Sequence, residues 1–162
     1  MIPDASLIIC GGIASNGGIT GQVANGAGSF ISTNTVDLAS LSLGNNQIGD
    51  IGQGTPVIVD FNVRTAPTGG TSVQFQLVQA DDPALTVNVQ VLVSTGPVPI
   101  ANLPAGRHVF MRWPRSTTPK RYFGARIVNA GAVATFSVFA AVVADVQSQL
   151  DQIHFKGGWA IT

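Results

Sequence analysis

The feature that most constrains the fold of this chain is a regular alternation of apolar and polar residues in several short segments. In residues 57–64, Val57, Val59, Phe61 and Val63 share one face, and the polar residues Asp60, Asn62 and Arg64 lie on the other. The pattern recurs in residues 73–77, 87–93, 109–113 and 136–142. A period of two places alternate side chains on one face of a strand, and Gly- and Pro-containing turns separate the segments. We therefore predict an all-β protein, a jelly-roll-like antiparallel β-sandwich.

The two ends of the chain differ from this pattern. Residues 11–28 contain seven Gly and no charged residue, and Gly-rich chain is costly to order. We expect residues 1–34 to form an extended Gly-rich arm, with a disordered N-terminal tail as the alternative. The sandwich is assigned to residues 35–147, and a short C-terminal tail, residues 148–162, follows it. The aromatic residues of that tail would pack on the same domain or on a neighbour.

Charge is scarce and balanced. The chain has eight Lys and Arg and eight Asp, or 10% charged residues, where soluble domains average roughly 25%. A net charge of zero argues against a dedicated nucleic-acid binder, and the 45% of hydrophobic residues argues against disorder. The most apolar stretch, residues 127–144, is predicted to be buried β structure and not a membrane span. With Cys10 alone, no intramolecular disulfide forms, and we expect synthesis in a reducing cytoplasm.

The few charges are segregated along the chain. Residues 1–63 carry four Asp and no cation, whereas residues 83–144 carry six cations and no acid. Those cations are Arg107, Arg112, Arg115, Lys120, Arg121 and Arg126. The basic segment is interpreted as a solvated strand face and loop or as a docking surface for an acidic partner. Nucleic-acid contact is a third reading, because a Trp and a Tyr are interleaved with the cations.

No residue pattern in the chain predicts catalysis. His108 and His154 are 46 residues apart, too few and too scattered to indicate a metal site. No Gly-x-Ser-x-Gly motif or phosphate-binding loop occurs. Asp81 and Asp82 directly precede Pro83, which is typical of a turn. We expect no catalytic residues, no metal and no cofactor, and the protein is predicted not to be an enzyme.

An ordered set of motifs nevertheless resembles a known family. In chain order the segments are Val36-Asp-Leu38, Ile48-Gly-Asp-Ile-Gly-Gln-Gly-Thr-Pro56, Thr71-Ser-Val-Gln-Phe-Gln-Leu77, Asp81-Asp82, Val93-Ser-Thr-Gly-Pro-Val-Pro-Ile100, Leu103-Pro-Ala-Gly106, Pro114-Arg115, Lys120-Arg-Tyr-Phe123 and Ala144-Asp-Val-Gln147. Together they resemble the small jelly-roll cement, or decoration, proteins on the heads of tailed bacteriophages. The resemblance covers residues 35–147. The Gly-rich arm and the C-terminal tail are not part of it.

The resemblance implies a non-enzymatic structural protein on the exterior of the virion. Such a protein binds the outer surface of a major capsid shell of the HK97 fold and associates with copies of itself. It would contact neither nucleic acid nor membrane. The candidate interface residues are Arg112, Arg115, Lys120, Arg121, Phe155 and Trp159. The alternatives are a carbohydrate-binding or host-adhesion module on the same fold, another virion component such as a minor capsid or head-fibre base protein, and a hydrolase.

Overall fold

The computed structural model describes residues 7–38, 57–114 and 120–143. The first six strands are β1 (Ile8–Cys10), β2 (Gly12–Ile13), β3 (Ile19–Thr20), β4 (Gln22–Val23), β5 (Gly26–Ile31) and β6 (Val36–Asp37). The last six are β7 (Ile58–Gly69), β8 (Ser72–Ala80), β9 (Gln90–Ser94), β10 (Val98–Pro99), β11 (His108–Arg112) and β12 (Tyr122–Val143). One 3₁₀ turn, Ile100–Asn102, lies between β10 and β11. The predicted all-β antiparallel sandwich is confirmed.

Strand β12 belongs to both layers of the sandwich. Its first half pairs with β8 along one edge and with β5 and β6 along the other. Its second half pairs with β7 along one edge and with β1 and β4 along the other. Strands β9 and β10 extend the first layer beyond β8, and β11 extends the second layer beyond β7. The last described strand therefore ties the early strands to the middle of the chain.

Glycines allow the chain to turn between the two layers. Gly131 interrupts the exposed middle of β12 with a φ of +84°, and Gly69 and Gly70 connect β7 to β8 with φ of +71° and +69°. A Cβ on Gly69 would lie 2.8 Å from the Ala132 carbonyl oxygen, and one on Gly131 would lie 3.1 Å from the Gly70 Cα. Positive φ and close backbone approach both require glycine at this corner.

Aromatic side chains fill the space between the layers. Phe61 of β7 lies 5.1 Å, centroid to centroid, from Phe75 of β8, and Phe75 lies 6.3 Å from Phe136 of β12. All three rings are buried, as are Val59 and Val63 beside them. The alternation in residues 57–63 and 73–77 therefore identified the buried faces of β7 and β8 correctly.

The Gly-rich segment is extended, and its strands β1, β4 and β5 pair with β12 of the sandwich, whereas β2 and β3 pair with each other in a separate two-stranded sheet. Ile9, Cys10 and Ala24 are fully buried. The Asn129 side chain donates to the carbonyl oxygens of Ala24 and Gly26 over 2.7 and 3.0 Å. Burial of these apolar side chains and pairing with β12 offset the entropy cost of ordering glycine. Residues 1–6 and the expected tail, residues 148–162, lie outside the described residues.

The alternation in residues 87–93 predicted a strand that in the structure begins only at Gln90. Leu85 and Asn88 both have positive φ, +53° and +50°, which strand geometry does not allow. The Asp82 carboxylate accepts hydrogen bonds from the backbone N–H groups of Thr86 and Val87 over 2.8 and 2.7 Å. This turn replaces the strand ladder before Gln90.

The apolar stretch at residues 127–144 is strand β12 as far as Val143, where the description ends. Its interpretation as buried β structure is confirmed over those residues, because Ile127, Phe136 and Val138 are buried in the core. Across the described ranges, no helix is sufficiently long and apolar to cross a bilayer.

Candidate interaction surface

The outermost strand of the second layer presents a distinctive row of side chains. In the described ranges β11 pairs with β7 alone, so its other edge has no partner strand there. His108, Phe110 and Arg112 alternate on its exposed face, and we call these three residues the β11 edge. Phe110 is 49% exposed, whereas Met111, which lies between Phe110 and Arg112 in the strand, is buried. An edge that has no neighbouring strand in the described ranges can pair with another chain, and Phe110 adds exposed apolar area beside it.

His108 is held against β7 by polar contacts. Its Nδ1 lies 2.8 Å from Oδ2 of Asp60, and its Nε2 lies 2.7 Å from Nδ2 of Asn62. Both contacts are satisfied when Nδ1 carries the proton, donates to the carboxylate and leaves Nε2 to accept from the amide. Burial raises the pKa of Asp60, and the hydrogen bond from His108 opposes that rise. The imidazole also stacks on Phe110, with ring centroids 5.7 Å apart.

The structure pairs two of the candidate interface cations with acids of the same chain. Arg121 forms a bidentate ion pair with Asp37, with both N–O distances 2.9 Å. Lys120 lies 2.9 Å from the Asp81 carboxylate. The hydrogen bond from Lys120 lowers the pKa of Asp81, and the one to Asp37 raises the pKa of Arg121. The charge segregation along the sequence is thus partly neutralised within the fold.

Arg112 differs from these two cations. Neither Arg112 nor Arg107, just before β11, makes an ion pair with any residue in the described ranges. Both side chains are exposed. Phe110 is therefore flanked along the chain by two positive charges that no acid pairs with in the described ranges. Three of the six predicted interface residues, Arg115, Phe155 and Trp159, lie outside the described residues.

Trp113 and Tyr122, the two aromatic residues interleaved with the later cations of the basic segment, are partly buried against the core. Trp113 stacks on Phe123 with ring centroids 3.3 Å apart, and Trp113 packs against the core. The guanidinium of Arg121 lies 5.0 Å from the centroid of the Tyr122 ring. A platform for nucleic-acid bases needs aromatic faces open to solvent. These contacts support the view that Trp113 closes one end of the sandwich.

The contacts of two further reactive side chains, Asp82 and Cys10, fit roles in stabilising the fold. Asp82 caps the turn at residues 82–87, and its backbone hydrogen bond from Val87 lowers its pKa. Cys10 is fully buried, and burial raises the pKa of its thiol to about 12. Within the part of the chain that the structure describes, no three His, Cys or Asp side chains lie close enough to hold a metal ion. The Asp81-Asp82 pair was correctly interpreted as turn chemistry.

The sequence predicted only part of the β11 edge. The alternation in residues 109–113 assigned His108 and Arg112 to the exposed face. Phe110 lies between them on the same face, so the alternation also indicates an exposed aromatic side chain there. The contacts from His108 to Asp60 and Asn62 join residues 48 and 46 positions apart. Such contacts depend on the register between β7 and β11, which no local pattern specifies.

Comparison with known proteins gives one match. The Bbp16 family matches residues 20–143, which include all of β4 to β12 and most of the chain. No curated protein matches the sequence. Bbp16 is a phage-type family name, and the matched residues contain the whole β11 edge and both ion pairs described above. The chain therefore belongs to the Bbp16 family of phage-related proteins.

Proposed function

We propose that this chain is a capsid decoration, or cement, protein that binds the outer surface of the major capsid shell and stabilises the phage head. The observation that carries the proposal is membership of a phage-type family over residues 20–143, in a chain whose motifs resemble those of small jelly-roll cement proteins. The proposed partners are a shell of the HK97 fold and other copies of the chain. The proposed location is the virion exterior, after synthesis in the host cytoplasm.

The distribution of charge supports a surface that becomes covered. Four of the described charged residues form the ion pairs Arg121–Asp37 and Lys120–Asp81. Surface whose charges are already compensated, or that has none, costs less to desolvate than surface with isolated charges. A chain with 10% charged residues therefore suits a role in which several sides contact neighbours. Specific contacts need roughly 1,000 Å² of buried surface, and many such contacts act together on a shell.

Exposed apolar side chains supply area for such contacts. Ile13 and Ile19 face each other across the β2–β3 pair, and both are exposed. Val23 on β4 is 63% exposed, and Phe110 on β11 is 49% exposed. Burial of apolar surface contributes about 25 cal/mol per Å². Three of these residues lie on β2, β3 and β4 and the fourth lies on β11, so the exposed apolar side chains come from different strands, which suits a protein that contacts more than one neighbour.

The test adds purified protein to undecorated heads of the phage that encodes it. We expect stoichiometric binding and heads that withstand a higher temperature before they release DNA. A decorated head should lose the gain when the protein is stripped off and regain it when the protein is added back. Failure to bind, or binding without any gain in heat resistance, would overturn the proposal. Binding of the purified domain to a glycan array instead would support the host-adhesion alternative.

A further inference from the structure

The backbone of β11 has hydrogen-bonding groups directed away from the sandwich. Val63 N–H donates to the Arg107 carbonyl and Trp113 N–H donates to the Val57 carbonyl, over 2.8 and 2.9 Å. These bonds show that the odd-numbered residues of β11 bond to β7. In an antiparallel ladder hydrogen-bonded residues alternate, so the three residues of the β11 edge direct their N–H and C=O groups outward. In the described ranges no strand meets those groups.

An extended segment of another protein can use such an edge by adding one strand to the sheet. Backbone hydrogen bonds would then provide affinity, and side chains opposite the β11 edge would provide selectivity. An apolar residue of the added strand would pack best directly opposite Phe110. Arg112 and Arg107, which make no ion pair in the described ranges, call for acidic residues at the two ends of the segment. The matching partner is extended, apolar at its centre and acidic on either side.

A second copy of β11 fits this edge poorly. An antiparallel pair centred on Phe110 would place Arg112 of one copy opposite His108 of the other and beside its Arg107. Arg112 and Arg107 carry charges of the same sign, and like charges brought close together on neighbouring strands repel each other. The charge around Phe110 therefore favours an acidic partner over self-pairing through this edge.

We propose that the β11 edge binds an extended acidic segment of the capsid shell protein as an added antiparallel strand. The identity of the segment's owner rests on the proposed function, whereas the strand addition itself does not. Arg112 and Phe110 would contact the acidic and apolar side chains of the added strand. Arg121 and Lys120 instead stabilise the domain through their ion pairs. His108 positions the Phe110 ring, because its own imidazole is held by Asp60 and Asn62 and stacks on that ring.

The first test uses the wild-type protein and a synthetic peptide with the core Asp-Thr-Val-Thr-Asp. The matched control peptide has Lys in place of both Asp. In the free protein, the amides of Phe110 and Arg112 should exchange with solvent rapidly and those of Val109 and Met111 slowly. The Asp peptide should slow exchange at Phe110 and Arg112, and the Lys peptide should not. Equal effects of the two peptides, or none, would overturn the charge-selective strand addition.

The second test compares Arg112→Gln with Arg112→Pro. Both remove the charge, but only Pro removes the outward N–H, and an edge strand tolerates Pro where its N–H faces away from the ladder. Arg112→Gln should weaken binding of the Asp peptide about fivefold or less. Arg112→Pro should weaken it about a further tenfold, because a peptide carbonyl loses its donor. Equal affinities for two folded variants would overturn the proposal, and if the Pro variant does not fold, the exchange test decides.

The third test separates this proposal from the proposed function. Protection of Phe110 and Arg112 should appear on undecorated heads as it does with the peptide. Peptide binding without binding to heads would leave strand addition standing and overturn the shell as its partner. Binding to heads without protection at these two amides would overturn the β11 edge as the contact. Concentration-dependent protection in the protein alone would show that a second copy occupies the edge, contrary to the proposal.

Discussion

Arg121 and Asp37 are 84 residues apart in the chain and form a bidentate ion pair, with N–O distances of 2.9 Å. Arg121 lies just before β12, and Asp37 ends β6, which pairs with the start of β12. The pair therefore joins the acidic first part of the chain to its basic later part. The surface field of the folded protein is weaker than the charge segregation in the sequence suggests.

We expect this ion pair to make a small contribution that depends on salt. Asp37→Asn, Arg121→Gln and the double variant form a thermodynamic cycle, measured by urea unfolding at low and high salt. The coupling between the two positions should be favourable at low salt and should fall towards zero at high salt, because the pair is exposed and screened. A coupling that salt does not change would contradict this expectation.

Gly69→Ala should destabilise the protein more than Gly96→Ala. The two glycines have nearly the same φ, +71° and +69°, so the left-handed strain of roughly 1–2 kcal/mol is common to both. A Cβ at Gly69 meets the Ala132 carbonyl oxygen at 2.8 Å, whereas nothing lies within 4 Å of one at Gly96. The difference between their urea unfolding free energies measures the clash at the corner. Equal losses would show that the corner can relax.

Phe75→Ala should lower the free energy of unfolding by about 3–5 kcal/mol, because the fully buried ring contacts both Phe61 and Phe136. Phe110→Ala is the matched control, since the Phe110 side chain is 49% exposed. That variant should stay within about 0.5 kcal/mol of the wild type. A large loss for Phe110→Ala would mean that the ring has a structural role in the free protein.

The pKa values of three Asp carboxyl groups should differ from the usual value for Asp, one upward and two downward. Burial raises the pKa of Asp60, and hydrogen bonds lower the pKa values of Asp81 and Asp82. Folding therefore favours protonated Asp60, so its contribution to stability is present at low pH and is lost as pH rises through its folded pKa. Asp81 and Asp82 contribute above the unfolded pKa, and their contributions are lost as pH falls through their folded pKa values.

Carboxyl carbon shifts measured by NMR across the acid range test these directions. The difference between the unfolding free energies of the wild type and Asp60→Asn, measured over the same pH range, gives the contribution of the Asp60 carboxyl to stability. The wild type should lose stability relative to Asp60→Asn as the pH rises through the folded pKa of Asp60. A pKa for Asp60 below that of Asp81 would be incompatible with the burial described here.

Cys10 should be unreactive in the folded protein. Its thiol is fully buried, and burial raises its pKa to about 12, so the thiolate that reacts with disulfide reagents is scarce at pH 8. We expect no measurable reaction with an aromatic disulfide reagent until urea unfolds the chain, and then complete reaction of one thiol. Rapid reaction under native conditions would show that β1 detaches from β12 readily.

The sequence predicted the parts of the fold that depend on local patterns. Alternation in residues 57–63 identified the buried face of β7, because the side-chain period of a strand is visible within a few residues. The beginning of β9 at Gln90 was missed, because a turn capped by Asp82 and the positive φ of Asn88 override the alternation before it.

The candidate surface depends on contacts between distant residues, so less of it was predictable. Nothing local indicates that Arg121 meets Asp37 or that Lys120 meets Asp81, because those contacts are set by how β6 and β8 align with β12. The Gly-rich segment is a second example. Its high Gly content suggested an arm, and only its pairing with β12 shows why Cys10 and Ala24 are buried.

The position of β12 has a consequence for how the chain folds as it is made. In the described ranges β1, β5 and β6 pair with β12 alone, and β12 ends at Val143. On the ribosome these early strands have no partner strand until Tyr122–Val143 has emerged. Contacts of such long sequence separation slow folding to the range of milliseconds to seconds. We therefore expect folding in one cooperative step that begins only when β12 is available.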